Sequence, residues 1–236
     1  MRITMNRAAK KNALTNAMYD VMTAGLEKAD ASEDVRAIVL EGADGVFTAG
    51  NDLGDFLSTA TRGQEPRAGY FIRKIAMLDT PIVAAVDGVA VGVGTTLLFH
   101  CDLVYATDRA KFRMPFTDLA LVPEAASSLL APQRFGMAKA SEYVLLGEPF
   151  DAAEAERLGL VNKIVAPDAL TQTALEAARK LAAKPAGALR ASRRLMRGER
   201  KDIEAAMARE TEAFAAALRS EEAKAAFTAF LAKSKG

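Results

Sequence analysis

A recurring order of short apolar runs constrains this chain more than any other feature. Residues 37–40, 82–86 and 103–106 are each nearly free of polar side chains and far too short to cross a bilayer, so they read as buried strands. After the first, the turn Gly42-Ala43-Asp44-Gly45 feeds a second extended piece at 46–49, and after the third a short strand is expected at 111–114. Helical patterns follow at 70–78, 95–99 and 125–135, and another precedes them at 12–31. That first helix carries Leu14, Met18, Val21, Met22 and Leu26, with Thr15 or Asn16 as its cap. Strand, strand, helix recurs without a fixed-period repeat, which places the chain in the α/β class.

The polar stretch 58–69 reads as a mobile loop. Beyond a strand at 161–165, residues 168–235 turn Ala-rich, charged and helical, broken mainly at Lys184-Pro185. Helices so rich in alanine bury little surface each. The stripe formed by Phe214, Leu218, Phe227 and Phe230 therefore needs a partner, either the rest of the chain or another subunit. No low-complexity linker interrupts the sequence, so the expected organisation is a core over 1–165 and a C-terminal helical region over 166–236.

Composition removes several function classes. With 31 Lys and Arg against 30 Asp and Glu, there is no overall field to draw the chain to nucleic acid or a membrane surface. The longest apolar stretch, 89–99, is interrupted by Gly92, Gly94, Thr95 and Thr96, so no membrane span is expected. Cys101 is the one cysteine and His100 the one histidine. No disulfide within the chain and no zinc-ligand spacing are available, so no metal is expected and a reducing cytoplasm is the expected location. The ending Lys233-Ser234-Lys235-Gly236 puts glycine where a Ser-Lys-Leu signal needs leucine, so peroxisomal import by that route is not expected.

Three features are able to carry chemistry. The run from Asp87 to Thr96, with Gly88, Gly92 and Gly94, delivers backbone amides to a helix start, where they bind anions or a developing oxyanion; tight turning alone is the competing explanation. It lacks the third glycine of a dinucleotide fingerprint, since Leu97 stands there. The segment Phe47-Thr48-Ala49-Gly50-Asn51-Asp52-Leu53 again ends a strand at a glycine before a helix, and Asp52 is either a simple N-cap or a functional group. The third feature, Val122-Pro123-Glu124, sets a carboxylate at a helix start, where it either complements the helix dipole or acts as an acid or base. A lone His100 without a matched nucleophile argues against a Ser-His-Asp hydrolase.

Taken in this order, the three features resemble the crotonase superfamily of enoyl-CoA hydratases and isomerases. The likeness extends to Ile3-Thr4-Met5-Asn6-Arg7, to Cys101-Asp102-Leu103 and to Leu146-Gly147-Glu148-Pro149-Phe150, so it covers nearly the whole chain. The resemblance implies a spiral of ββα units and C-terminal helices that build a homotrimer or dimer of trimers. It also implies an acyl-CoA thioester as substrate, with coenzyme A part of that substrate rather than a cofactor. Carried over by position, the Asn51 and Val93 amides would meet the thioester oxygen, and Ala49, Gly50, Asp52, Leu53, Gly92, Thr96 and Phe116 would line the substrate. Hydratases of this family carry two glutamates where Thr96 and Phe116 stand. The stretch from Met114 through Pro123-Glu124 to Ser128 is instead similar to peroxisomal-type Δ3-Δ2-enoyl-CoA isomerases, in which Glu124 would be the base.

Overall fold

The computed structural model describes residues 1–61 and 67–233. The chain opens with β1 (Arg2–Met5) and, after a single 3₁₀ turn, enters α1 (Asn16–Ala31), whose N-cap Thr15 accepts the Met18 amide through its side chain. The first spiral turn comprises β2 (Ile38–Gly42), the extended piece 46–49, α2 (Leu53–Thr61) and α3 (Arg67–Met77). The second comprises β3 (Ile82–Val86), β4 (Val89–Val91) and α4 (Val93–Thr96), which runs into a 3₁₀ turn over Leu97–His100. The third comprises β5 (Leu103–Ala106), β6 (Lys111–Arg113), α5 (Ser127–Phe135) and α6 (Met137–Leu145). Then come β7 (Phe150–Asp151), α7 (Ala152–Arg157) and β8 (Lys163–Ile164), followed by α8 (Leu170–Ala182), α9 (Ala186–Arg197), α10 (Arg200–Leu218) and α11 (Glu221–Lys233).

Each turn of the spiral gives one strand to each of two sheets. The larger sheet has the order β1-β2-β3-β5-β8 with every neighbour parallel. The smaller has the order β4-β6-β7, with β7 antiparallel, and segment 46–49 joins it through the Thr48–Ala90 bridge. Alternation along the central strands explains why they read as wholly apolar. Ile38, Leu40, Ile82, Ala84 and Val86 face the main core with α1 and α3, whereas Val39, Val83 and Ala85 face Leu170, Ala174, Ala177 and Ala178 of α8. Both faces of the sheet are covered, so its central strands are almost wholly apolar, and the one buried carboxylate of β2, Glu41, accepts from the Thr4 and Thr171 hydroxyls.

Several elements differ from the sequence expectation. Helix α1 starts at Asn16 rather than at 12, and its buried face is Tyr19, Met22, Leu26 and Ala29, leaving Val21 73% exposed. Of the expected loop 58–69, residues up to Thr61 continue α2 and those from Arg67 belong to α3, while 62–66 lie outside the described residues. Asp52 caps the start of α2, its carboxylate accepting the Asp55 amide at 3.0 Å. The helix expected at 95–99 begins at Val93 and tightens to 3₁₀ after Thr96. The strand expected at 161–165 is reduced to Lys163–Ile164.

The C-terminal helices break at Lys184-Pro185 and also after Arg197 and Leu218. Most of their apolar stripe is covered by the chain itself: Phe227 is buried, Phe214 and Leu218 pack on the core, and Phe230 remains 49% exposed. Phe214 meets Phe56 edge to face with centroids 6.1 Å apart, which joins α10 to α2. No helix among the described residues is long and apolar enough to cross a membrane.

Candidate active site

Two segments bring backbone amides together. Leu14 donates to the Gly50 carbonyl at 2.8 Å and accepts the Asp52 amide at 2.8 Å, a parallel bridge that leaves the Asn51 N–H turned away from Leu14. Gly92, with φ 56° and ψ −118°, turns the end of β4 into α4, and that backbone region is open to glycine almost alone. Val93 is thereby the first residue of α4, where an amide has no partner in its own helix. Among the described residues neither the Asn51 nor the Val93 amide makes an intramolecular hydrogen bond. The two segments touch: a Cβ on Gly50 would lie 2.7 Å from the Val91 carbonyl oxygen and 4.0 Å from the Gly92 nitrogen.

Glu124 does not sit in the first turn of α5, as the sequence suggested. It precedes the helix, followed by Ala125 and Ala126 at φ 62° and 54°, two consecutive left-handed alanines. Each such residue costs on the order of 1–3 kcal/mol, so the turn persists only because its surroundings hold it. Ser127 donates to the Glu124 carbonyl through both its amide, at 3.0 Å, and its hydroxyl, at 2.6 Å. His100, buried and held down to about 4 by burial, is neutral and bonds the Ala125 carbonyl through Nε2 at 2.8 Å. The lone histidine thus anchors the turn that carries Glu124.

The Glu124 side chain opens on a cavity of about 140 Å³ lined by Phe56, Ile72, Met207, Phe214 and Leu218, with Glu210 its one other charged wall. Burial, and after it the charge of Glu210, pushes the Glu124 carboxyl from 4.5 up to about 8. Tyr19, buried nearby, donates its hydroxyl to Asn51 Oδ1 at 2.5 Å. Burial first and the Glu124 charge second drive the Tyr19 phenol well above its ordinary value, so it stays a neutral donor. Tyr19 therefore feels the Glu124 charge while bonding the residue that bears one of the two free amides.

A sequence profile of the family described as "Enoyl-CoA hydratase/isomerase" matches residues 1–236, the whole chain. The chain belongs to this family. Its fold is the crotonase fold. A crystal structure of an enoyl-CoA hydratase/isomerase from Pseudoalteromonas atlantica T6c superposes with a TM-score of 0.93 at 41% identity, covering 98% of this chain and 93% of that one. Enoyl-CoA delta isomerase 2 of Rattus norvegicus is 38% identical over 209 residues, 85% of this chain; the chain spans only 53% of the rat protein's length. A probable enoyl-CoA hydratase of Rhizobium meliloti (strain 1021) is 35% identical over 241 residues, covering 99% of this chain and 91% of that protein.

Within this family member the expected site residues separate into groups. Ala49, Gly50, Asn51, Gly92 and Val93 adjoin one another where 46–51 meets β4. Asp52 is engaged twice over, capping α2 and pairing with Arg7 at 2.7 Å, and Leu53 begins α2 against the core. Thr96 and Phe116 are buried and stand outside the lining of the Glu124 cavity. Sequence reasoning missed Tyr19 and Glu210. The signal for Glu210 was a carboxylate at helical spacing between Ala206 and Phe214, both of which face inward, because a charge inside an apolar stripe is the informative departure. No group of three or more His, Cys, Asp or Glu able to hold a metal occurs among the described residues.

The raised Glu124 carboxyl gives a stability prediction. Between about 4.5 and about 8 the folded protein keeps a proton that the unfolded chain has released. Stability from this group is therefore greatest below about 4.5, falls as pH rises through the window, and levels off above about 8. Glu124→Gln removes the penalty, so its melting temperature should gain on the parent steadily from pH ~5 to pH ~8. A difference independent of pH in a thermal scan would contradict the raised carboxyl.

Proposed function

We propose that the chain shifts the double bond of a 3-enoyl-CoA into conjugation, giving the 2-enoyl-CoA. The observation that carries this reading is a proton-exchanging carboxyl, Glu124, on a largely apolar cavity whose other carboxyl, Glu210, is occupied by backbone amides, in a chain that also holds two unpaired amides at Asn51 and Val93. Ionised Glu124 takes a proton from the α-carbon. The C–H electrons move toward the thioester oxygen, where the Asn51 and Val93 amides stabilise the dienolate. Protonated Glu124 then returns the proton to the γ-carbon, the electrons form the 2,3 double bond, and the carboxylate is regenerated. A conjugate acid titrating near 8 holds the proton through the intermediate, which suits a group that must both take and give it. The extended thioester would follow the main chain of 49–53 and 92–93, its acyl tail turned toward Phe56 and Phe214.

Hydration would require one group to activate water and another to protonate carbon. Thr96 and Phe116 supply no carboxyl, and both oxygens of Glu210 already accept backbone amides. Incubation with 3-enoyl-CoA and 2-enoyl-CoA separates the two reactions. Conversion of the first to the second is expected, with kcat/KM rising through about pH 8 as Glu124 ionises. Conversion of 2-enoyl-CoA alone, to a 3-hydroxyacyl product, would sink the isomerase reading.

A further inference from the structure

We infer that Glu210, delivered by α10 from the C-terminal helical region, is a positioning residue of the active site that clamps the strained turn holding Glu124. The inference rests on the reading of Glu124 as the acid/base group. Glu210 is 6% exposed, and its two oxygens are divided between two amides of one turn, Ala126 N–H at 2.6 Å and Ser128 N–H at 2.8 Å. These are amides that α5 leaves open at its start. A carboxylate accepting both is the one side chain that satisfies them together, because an amide side chain would turn its NH₂ toward one of the two donors. On the other side His100 holds the Ala125 carbonyl, so the left-handed pair Ala125-Ala126 is gripped from α10 and from the 3₁₀ turn after α4. Released from that grip, two alanines favour helical backbone, and Glu124 would leave the cavity.

Position alone does not exhaust the role, since Glu210 lines the same cavity as Glu124. The groups that face this pair are Tyr19 from α1, Arg209 and Glu210 from α10, and neutral His100 behind the turn. From α2 and α3 the cavity receives Phe56, Ala68, Gly69 and Ile72, none of them charged. Burial raises both carboxyls, but the Ser128 hydroxyl and the Ser128 and Ala126 amides favour the charged form of Glu210, whereas no such donor among the described residues meets the Glu124 carboxyl. Of the two carboxyls, Glu210 is therefore the one whose charged form its neighbours favour.

The test reads the Glu124 titration directly, by ¹³C NMR of protein labelled at glutamate carboxyls, with the resonance assigned by its absence in Glu124→Gln. Glu210→Gln removes the charge and should lower the Glu124 midpoint by about one pH unit, the coupling of neighbouring carboxylates. Glu210→Asp keeps the charge but withdraws it from the two amides, so the midpoint should hold while kcat for 3-enoyl-CoA falls at least about tenfold. An unshifted midpoint in Glu210→Gln, or full turnover in Glu210→Asp, would overturn the inference. Should Glu210→Gln fail to fold, Glu210→Asp decides by its turnover alone. A wild type that leaves 3-enoyl-CoA untouched would remove the isomerase reading only, because the titration is measured without substrate.

Discussion

Glu124→Gln is expected to lower kcat for 3-enoyl-CoA on the order of 10⁴-fold, the upper end of what a general acid/base contributes, because one carboxyl performs both proton transfers. KM should change little, since the substitution leaves untouched the main-chain amides of 49–53 and 92–93 proposed to meet the thioester. The variant must be compared where it is folded, and it is expected to be the more stable protein at pH ~8, where the parent holds a carboxyl that burial disfavours charging. Loss of activity together with gained stability is the signature of a group kept for chemistry, and denaturation of the variant cannot produce it. Glu124→Asp retains the carboxyl but draws it back by one methylene; a displacement of about 1 Å should cost on the order of 10²-fold. Steady-state kinetics that left Glu124→Gln within tenfold of the parent would place the base elsewhere.

How far the sequence reached depends on which interactions are local. The central strands β3 and β5 were legible to the residue because both faces of the sheet are buried, so their apolar runs have sharp ends at Pro81, Asp87, Asp102 and Thr107. Thr15 as a cap and the break at Lys184-Pro185 follow from side-chain and backbone chemistry within a few residues. The turn after Glu124 was not legible. Alanine is the strongest helix former, and nothing local reveals Ala125 and Ala126 as left-handed. That conformation is imposed by Glu210 and His100, 84 and 25 residues away from the backbone groups they bond. The two unpaired amides lie where the sequence sets glycines after strands, but Glu124 owes its position to tertiary contacts alone. Family resemblance supplied what local chemistry could not: it singled out Glu124 from a pair of readings that its own neighbours left open.

Gly50→Ala should produce the second large effect, and it separates the amides from the carboxylate. Gly50 has φ +89°, and an added Cβ would stand 2.7 Å from the Val91 carbonyl oxygen, backbone against backbone with no flexible side chain to yield. The segment must therefore move away from β4 or rotate, and in either case the Asn51 amide leaves its place beside Val93. Loss of one oxyanion donor costs about 10²–10³ in kcat, and the left-handed backbone adds roughly 1–3 kcal/mol of instability. Gly159→Ala supplies the comparison. Gly159 has φ +75° with no neighbour within 4 Å of a Cβ, so it carries the backbone cost without the collision. That variant should lose stability of similar order and keep full turnover, whereas Gly50→Ala should lose both while its Glu124 carboxyl still titrates near 8. Equal activity losses in the two would mean that general destabilisation governs turnover and that the Asn51 amide does not meet the thioester oxygen.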